Sequence, residues 1–290
     1  MLAIGFGVLA GILFGLLTVM VRRGLIRQSD PIAGSVVVIG VATLIVLVVT
    51  VVTGQAGDLN DLHPALAYFV IGLVAPGASQ LIFMYAVRDV GASRAAIMIG
   101  TAPLLATIIA VVFRDEPLKA GLLAGTVLIV IGGASLAYER NLPAGFRARG
   151  MVLAFLCALA FACRDNAMRM AGLETDMDPR AATTWTLVGA FVAVAGFALV
   201  TRRGALVGQL RAVFIPFLPA GIVFGTAYTT LTIALSVGKV TVFAPLNAMQ
   251  SMWTVLLAWM ILGRSDGIGF RVVAAMLLVV SGGILIGIFR

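Results

Sequence analysis

The chain has almost none of the residues on which enzymatic chemistry is usually built: two cysteines, one histidine and 11% charged residues among 290. Cys157 and Cys163 stand six apart on one predicted helix, where a mutual disulfide is geometrically awkward, so no redox or metal role is expected of them. His63 lies in a predicted loop beside Asp61, far from any nucleophile or ligand partner that would make an active site. No Gly-Lys-Ser or Gly-Lys-Thr follows a glycine-rich turn, which removes a phosphate loop. These absences predict a protein that is not an enzyme and carries neither cofactor nor metal.

Polar surface is lacking too. With 61% hydrophobic residues and a mean hydropathy of +1.13, the chain cannot cover a water-soluble globule of its length, and lipid must serve as part of its solvent. A spanning backbone satisfies its own hydrogen bonds only as helices or a closed barrel. The apolar runs are about 20 residues long without strict alternation, so they predict helices. Ten spans are expected, near 2–21, 31–53, 66–87, 92–113, 120–138, 148–170, 181–200, 212–236, 240–262 and 268–289. The first begins almost at Met1 without a basic leader and reads as a retained helix. The fold class is thus an all-α integral membrane protein.

A net charge of +8 could suggest nucleic acid, but the basic residues are scattered by short loops and form no stripe with stacking aromatics. They read as topogenic charge. Thirteen lie beside the loops after odd-numbered spans, against six on the other side (Arg114, Lys119, Arg169, Arg180, Lys239 and Arg290), with Arg164 inside a span. That asymmetry places the odd loops in the cytoplasm and both termini outside.

The chain repeats itself. Arg114 leads after eighteen residues to Gly132-Gly133, and Arg264 leads after eighteen to Gly282-Gly283. Gly77, Gln80 and Ala86 match Gly225, Tyr228 and Ala234 at one constant offset. Two five-helix halves, 1–140 and 148–290, are expected, and an odd number of spans per half inverts the second copy relative to the first. Many secondary transporters are built this way, with a substrate site near the midplane between halves.

These landmarks carry a resemblance. The fourth span, with Thr101-Ala102-Pro103-Leu104 followed by Glu116, the ninth, with Val242-Phe243-Ala244-Pro245-Leu246 and Thr254-Val255-Leu256-Leu257-Ala258, and the sixth, from Ala158-Leu159-Ala160-Phe161, resemble the ten-helix EamA-type members of the drug/metabolite transporter superfamily. Ser251 stands where that pattern often has proline. The resemblance implies a secondary transporter, a probable exporter of small organic metabolites such as amino acids, working by alternating access as monomer or homodimer. It also implies cytoplasmic termini, against the charge count. A non-transport membrane scaffold is the alternative, and an intramembrane enzyme a more distant one.

Polar residues inside spans are costly and are the first candidates for a site. Arg164 and Asp165, in the sixth span, could orient an anionic group and bind an amine or a proton. Structurally, Asp165 could instead pair with Arg169 and Arg164 could snorkel. No glutamate falls within a span, so Asp165 is the candidate coupling carboxylate. Pro76, Gly77, Pro103, Gly225 and Pro245 are candidate hinges, with Gln80 and Tyr228 about one turn beyond the bends of the third and eighth spans. Asn247, Gln250, Ser251 and Trp253 with Trp185 offer amide, hydroxyl and indole groups to a small solute. Glycines at every fourth position in the first, fifth and tenth spans read as packing surfaces.

Overall fold

A computed structural model describes residues 2–55, 57–102, 104–105, 108–109, 120–135, 145–237, 249–263 and 268–289. The secondary structure described is helical, as lipid requires of a backbone with no other partner. The helices are α1 (Leu2–Arg27), α2 (Pro31–Val52), α3 (Leu62–Gly72), α4 (Ser79–Val90), α5 (Ala92–Ile99), α6 (Ala120–Ser135), α7 (Arg149–Glu174), α8 (Pro179–Arg202), α9 (Leu206–Val237), α10 (Gln250–Leu262) and α11 (Phe270–Phe289). Among the described residues six stretches are long and apolar enough to cross a membrane: Gly5–Arg27, Pro31–Val52, Leu62–Val90, Arg149–Gly172, Pro179–Arg202 and Leu206–Leu231. The shorter α5, α6, α10 and α11 fall within the fourth, fifth, ninth and tenth expected spans.

Local chemistry marks the helix starts. The Asp30 carboxylate accepts from the Ile32 and Ala33 amides, with Pro31 at the first helical position of α2. Asp178 accepts from the Arg180 amide ahead of Pro179 in the same way. The two Asp-Pro pairs are 148 residues apart, the offset that also relates Gly77 to Gly225. This start signal is a further mark of the repeat that the landmark comparison passed over.

Packing obeys that offset. α1 lies against α9 and α10, and its counterpart α7 lies against α4 and α5; α2 packs on α9, and its counterpart α8 packs on α3. A Cβ on Gly77 would meet Ala193 Cβ at 2.9 Å and Ala190 Cα at 3.2 Å; one on Gly225 would meet Ile45 Cβ at 2.9 Å and Ala42 Cα at 3.1 Å. Each of those partners is 148 residues from its equivalent. Three further contacts, α2 with α8, α5 with α10 and α6 with α11, join a helix to its own counterpart. An approximate two-fold axis therefore relates the halves.

Hydroxyls and small residues hold these contacts where the hydrophobic effect offers little between helices in lipid. Thr50 and Thr184 bond at 2.9 Å across α2 and α8, and the Thr43 hydroxyl donates to its own-helix Ile39 carbonyl at 2.7 Å and to the Leu187 carbonyl of α8 at 3.2 Å. Gly282 of α11 sits on the Gly125 carbonyl of α6, and Gly15 of α1 sits against the Trp253–Thr254 backbone of α10; Gly15 and Gly125 belong to the expected glycine stripes. Large apolar side chains face outward along the spans, as at Val52, Val200 and Met260.

The two third helices differ. The first breaks at a π-turn over Leu73–Ala78, where Ala75 takes φ −145° and ψ 118° ahead of Pro76. The second, α9, continues as α-helix through Gly221 and Gly225. Glycine retains its N–H and keeps the i to i−4 ladder, whereas proline removes one donor and crowds the preceding turn. The bend expected at Gly225 is thus replaced by close packing on α2.

Candidate functional site

Arg164 lies 15 residues into α7 and 10 before its end, roughly 15 Å from that end and near the middle of the span. A charge at such a depth must find partners. Its Nε and Nη2 both donate to Asp165 Oδ1, at 3.0 and 2.8 Å, and its Nη1 donates to the Tyr228 hydroxyl at 2.9 Å. The guanidinium carbon lies 4.8 Å from the centroid of Phe161. Asp165 is therefore paired with its neighbour, and Arg164 turns inward to α9 and does not snorkel. The Arg169 side chain itself is outside the described atoms.

Tyr228 is buried and locked by aromatic edges. Its ring meets Phe224, one turn earlier on α9, at 4.9 Å and Phe14 of α1 at 5.6 Å, both edge to face. This collar aims the hydroxyl at Arg164. The spacing of Phe224 and Tyr228 on one face was legible in the sequence, but Phe14 reaches them only through the packing of α1 on α9.

Gln80 is 4% exposed on α4 and its Nε2 makes no hydrogen bond among the described residues. The adjacent Ser79 carbonyl accepts from Cys157 Sγ at 3.7 Å, and Cys157 lies two turns before Arg164 on the same face of α7. Ser79, next to Gln80, and Tyr228 thus both contact α7 on the face that carries Cys157 and Arg164. A buried amide donor without a partner is a standing cost of about 1–3 kcal/mol. Gln80→Met, nearly isosteric and apolar, is expected to raise the melting temperature by removing that cost, and an unchanged or lowered midpoint of thermal unfolding would show that the amide is satisfied.

The other expected residues divide between contacts. Trp185 packs beside Tyr68, Ala171 and Ala182, and Trp253 faces Gly15 of α1; the indole N–H of each is buried without a hydrogen-bond partner among the described residues. Ser251 donates to the Ala96 carbonyl at 2.8 Å, so it ties α10 to α5 and is not turned to a solute. Gln250 is half-buried in the first turn of α10. Pro103, Pro245 and Asn247 lie outside the described residues.

The ends of the bundle differ in charge chemistry. Where α4 ends, the buried Asp89 carboxylate accepts from Arg88 Nε at 2.9 Å and from Arg149 Nε at 2.7 Å, and its carbonyl accepts from the Arg147 amide. Arg22 of α1 donates to the Val87 and Arg88 carbonyls beside it. Sequence reasoning passed over Asp89 because it sits at a span boundary. At the opposite end an open cavity of about 290 Å³ is lined by Asp58, Asp61, His63, Glu174 and Asp176. Among the described residues no group of acidic, histidine and cysteine side chains is placed to hold a metal.

Against known proteins, the model of the EamA-like transporter family matches residues 1–137 and again residues 148–288. A solved crystal structure of a protein 18% identical in sequence superposes with a TM-score of 0.62, covering 96% of this chain and 95% of that one, which is a likeness of fold. No curated protein matches.

Proposed function

Because this chain belongs to the EamA-like transporter family, matched separately by each of its halves, we propose that it is a secondary transporter that exports amino acids or similar small organic metabolites across the inner membrane by alternating access. The observation that carries this reading is the Arg164, Asp165 and Tyr228 assembly. It is a charged, hydrogen-bonding group at mid-depth between helices of the two-fold-related bundle, where inverted-repeat transporters hold their solutes. Five spans per half, with the second copy inverted, make one pathway per chain. The π-turn at Pro76 and Gly77 is the flexible element, and Asp165 is the coupling carboxylate.

Counterflow in proteoliposomes tests it. Saturable uptake of a labelled neutral or aromatic amino acid into vesicles preloaded with the matching unlabelled pool, above empty vesicles, is the expected result. No exchange with any pool would remove the amino-acid assignment, and a conductance without saturation would point to a channel. If Asp165 carries the coupling proton, Asp165→Asn flattens the pH dependence of that flux; an unchanged profile assigns coupling elsewhere.

A further inference from the structure

We propose that Asp165 is a built-in substitute for the carboxylate of the substrate: it occupies the Arg164 guanidinium while the site is empty, and a small solute bearing a carboxylate displaces it. The inference rests on the transport reading for its biological meaning, but its test reads binding alone.

The geometry of the pair is that of a displaceable partner. Arg164 and Asp165 are consecutive on α7, and consecutive helix residues do not face each other. Asp165 consequently offers only Oδ1, which takes both the Nε and the Nη2 hydrogen bonds. A carboxylate approaching from outside the helix can present two oxygens to the planar fork, the stronger and more directional arrangement. Of the five N–H donors of a guanidinium, three are engaged by Asp165 and Tyr228, which leaves two for a ligand.

The surroundings fit such an exchange. The Asp165 side chain is 44% exposed and that of Arg164 18%. A carboxylate turned to lipid costs about 2.5–3.5 kcal/mol at the centre of a spanning helix, so the exposed Asp165 side chain favours a watered surface, toward which it can turn when displaced. Phe161 beneath the guanidinium offers an apolar wall for the body of the solute. The buried Tyr228 keeps Arg164 in place throughout, so the fork stays aimed while its anionic partner changes. The hydrogen bonds from Arg164 to Asp165 are given up, those to the ligand form, and no covalent bond changes.

The test is thermal stabilisation of the purified full-length protein in detergent by phenylacetate, L-phenylalanine and acetate, with phenylacetamide as the neutral isostere. The expected result is stabilisation by at least one carboxylate and none by the amide. Asp165→Asn is expected to lower the half-saturating carboxylate concentration about tenfold, the scale of one charge-assisted hydrogen bond returned to the ligand. Arg164→Gln with Asp165→Asn, which removes both charges and leaves neither one orphaned, is expected to lose the response. Weaker or unchanged carboxylate binding by Asp165→Asn overturns the proposal, as does equal stabilisation by phenylacetamide or no response to any of the three carboxylates. Failure of counterflow together with the expected binding pattern would instead sink the transport reading and leave this one standing.

Discussion

Gly72→Val and Gly189→Val should each destroy the folded bundle, with losses of more than about 3 kcal/mol, at the top of the range for overpacked sites. A Cβ on Gly72 would overlap the Thr186 carbonyl oxygen of α8, and a Cβ on Gly189 would overlap the Phe69 carbonyl oxygen of α3. In both cases the obstacle is backbone, which cannot rotate away as a side-chain tip can. The α3 and α8 axes would have to separate along their whole crossing, and with them the seam between the two halves. Gly196 of α8 is the control, since a Cβ there meets nothing within 4 Å. Gly196→Ala should be neutral or gain up to about 1 kcal/mol from helix propensity. Size-exclusion profiles in detergent and midpoints of thermal unfolding separate these outcomes. Well-folded Gly72→Val protein with an unchanged midpoint would mean that the crossing is looser than described.

The double substitution of Arg88 and Arg149 by alanine should cost about 3–5 kcal/mol, because it leaves Asp89 as a buried charge without an ion partner. Either single change should cost much less. Arg149 is 57% exposed, and Arg88 still holds the carboxylate when Arg149 is lost. Asp89→Ala should also be milder than the double change, since the two arginines left behind can turn to water or headgroups. Adding Asp89→Asn to the Arg88 and Arg149 double variant should then recover much of the loss. That recovery distinguishes an orphaned charge from lost packing, and a triple variant as unstable as the double would refute the electrostatic account. The network matters to architecture because Asp89 belongs to the first half, Arg149 to the second, and Arg147, whose amide also bonds Asp89, to the segment between them.

How much of this was readable in advance depends on the range of the interaction. The starts of α2 and α8, the break before Pro76 and the apolar lengths are local consequences of the chain, and the described helices lie close to their expected spans. Arg164, Asp165, Gln80 and Tyr228 could be picked out because polar groups are scarce in apolar text. Their partners could not. Helix spacing can suggest only partners three and four residues apart on one helix, whereas the geometry brings Tyr228, 64 residues away, onto Arg164. Ser251 looked like a cavity residue by type and proves to be a tie between helices, because only the crossing of α5 and α10 puts the Ala96 carbonyl within its reach.

By itself the sequence determined a membrane-embedded, all-helical chain in two related halves, because lipid leaves a backbone no other economy of hydrogen bonds and an internal repeat is written in residue order. The tertiary structure alone decided which helix of one half meets which helix of the other, hence that Gly72 and Gly189 lie on backbone and that Arg164 shares itself between Asp165 and Tyr228. Those pairings depend on distances between segments remote in sequence, set by how closely small residues let helices approach, and no periodicity within one segment encodes them.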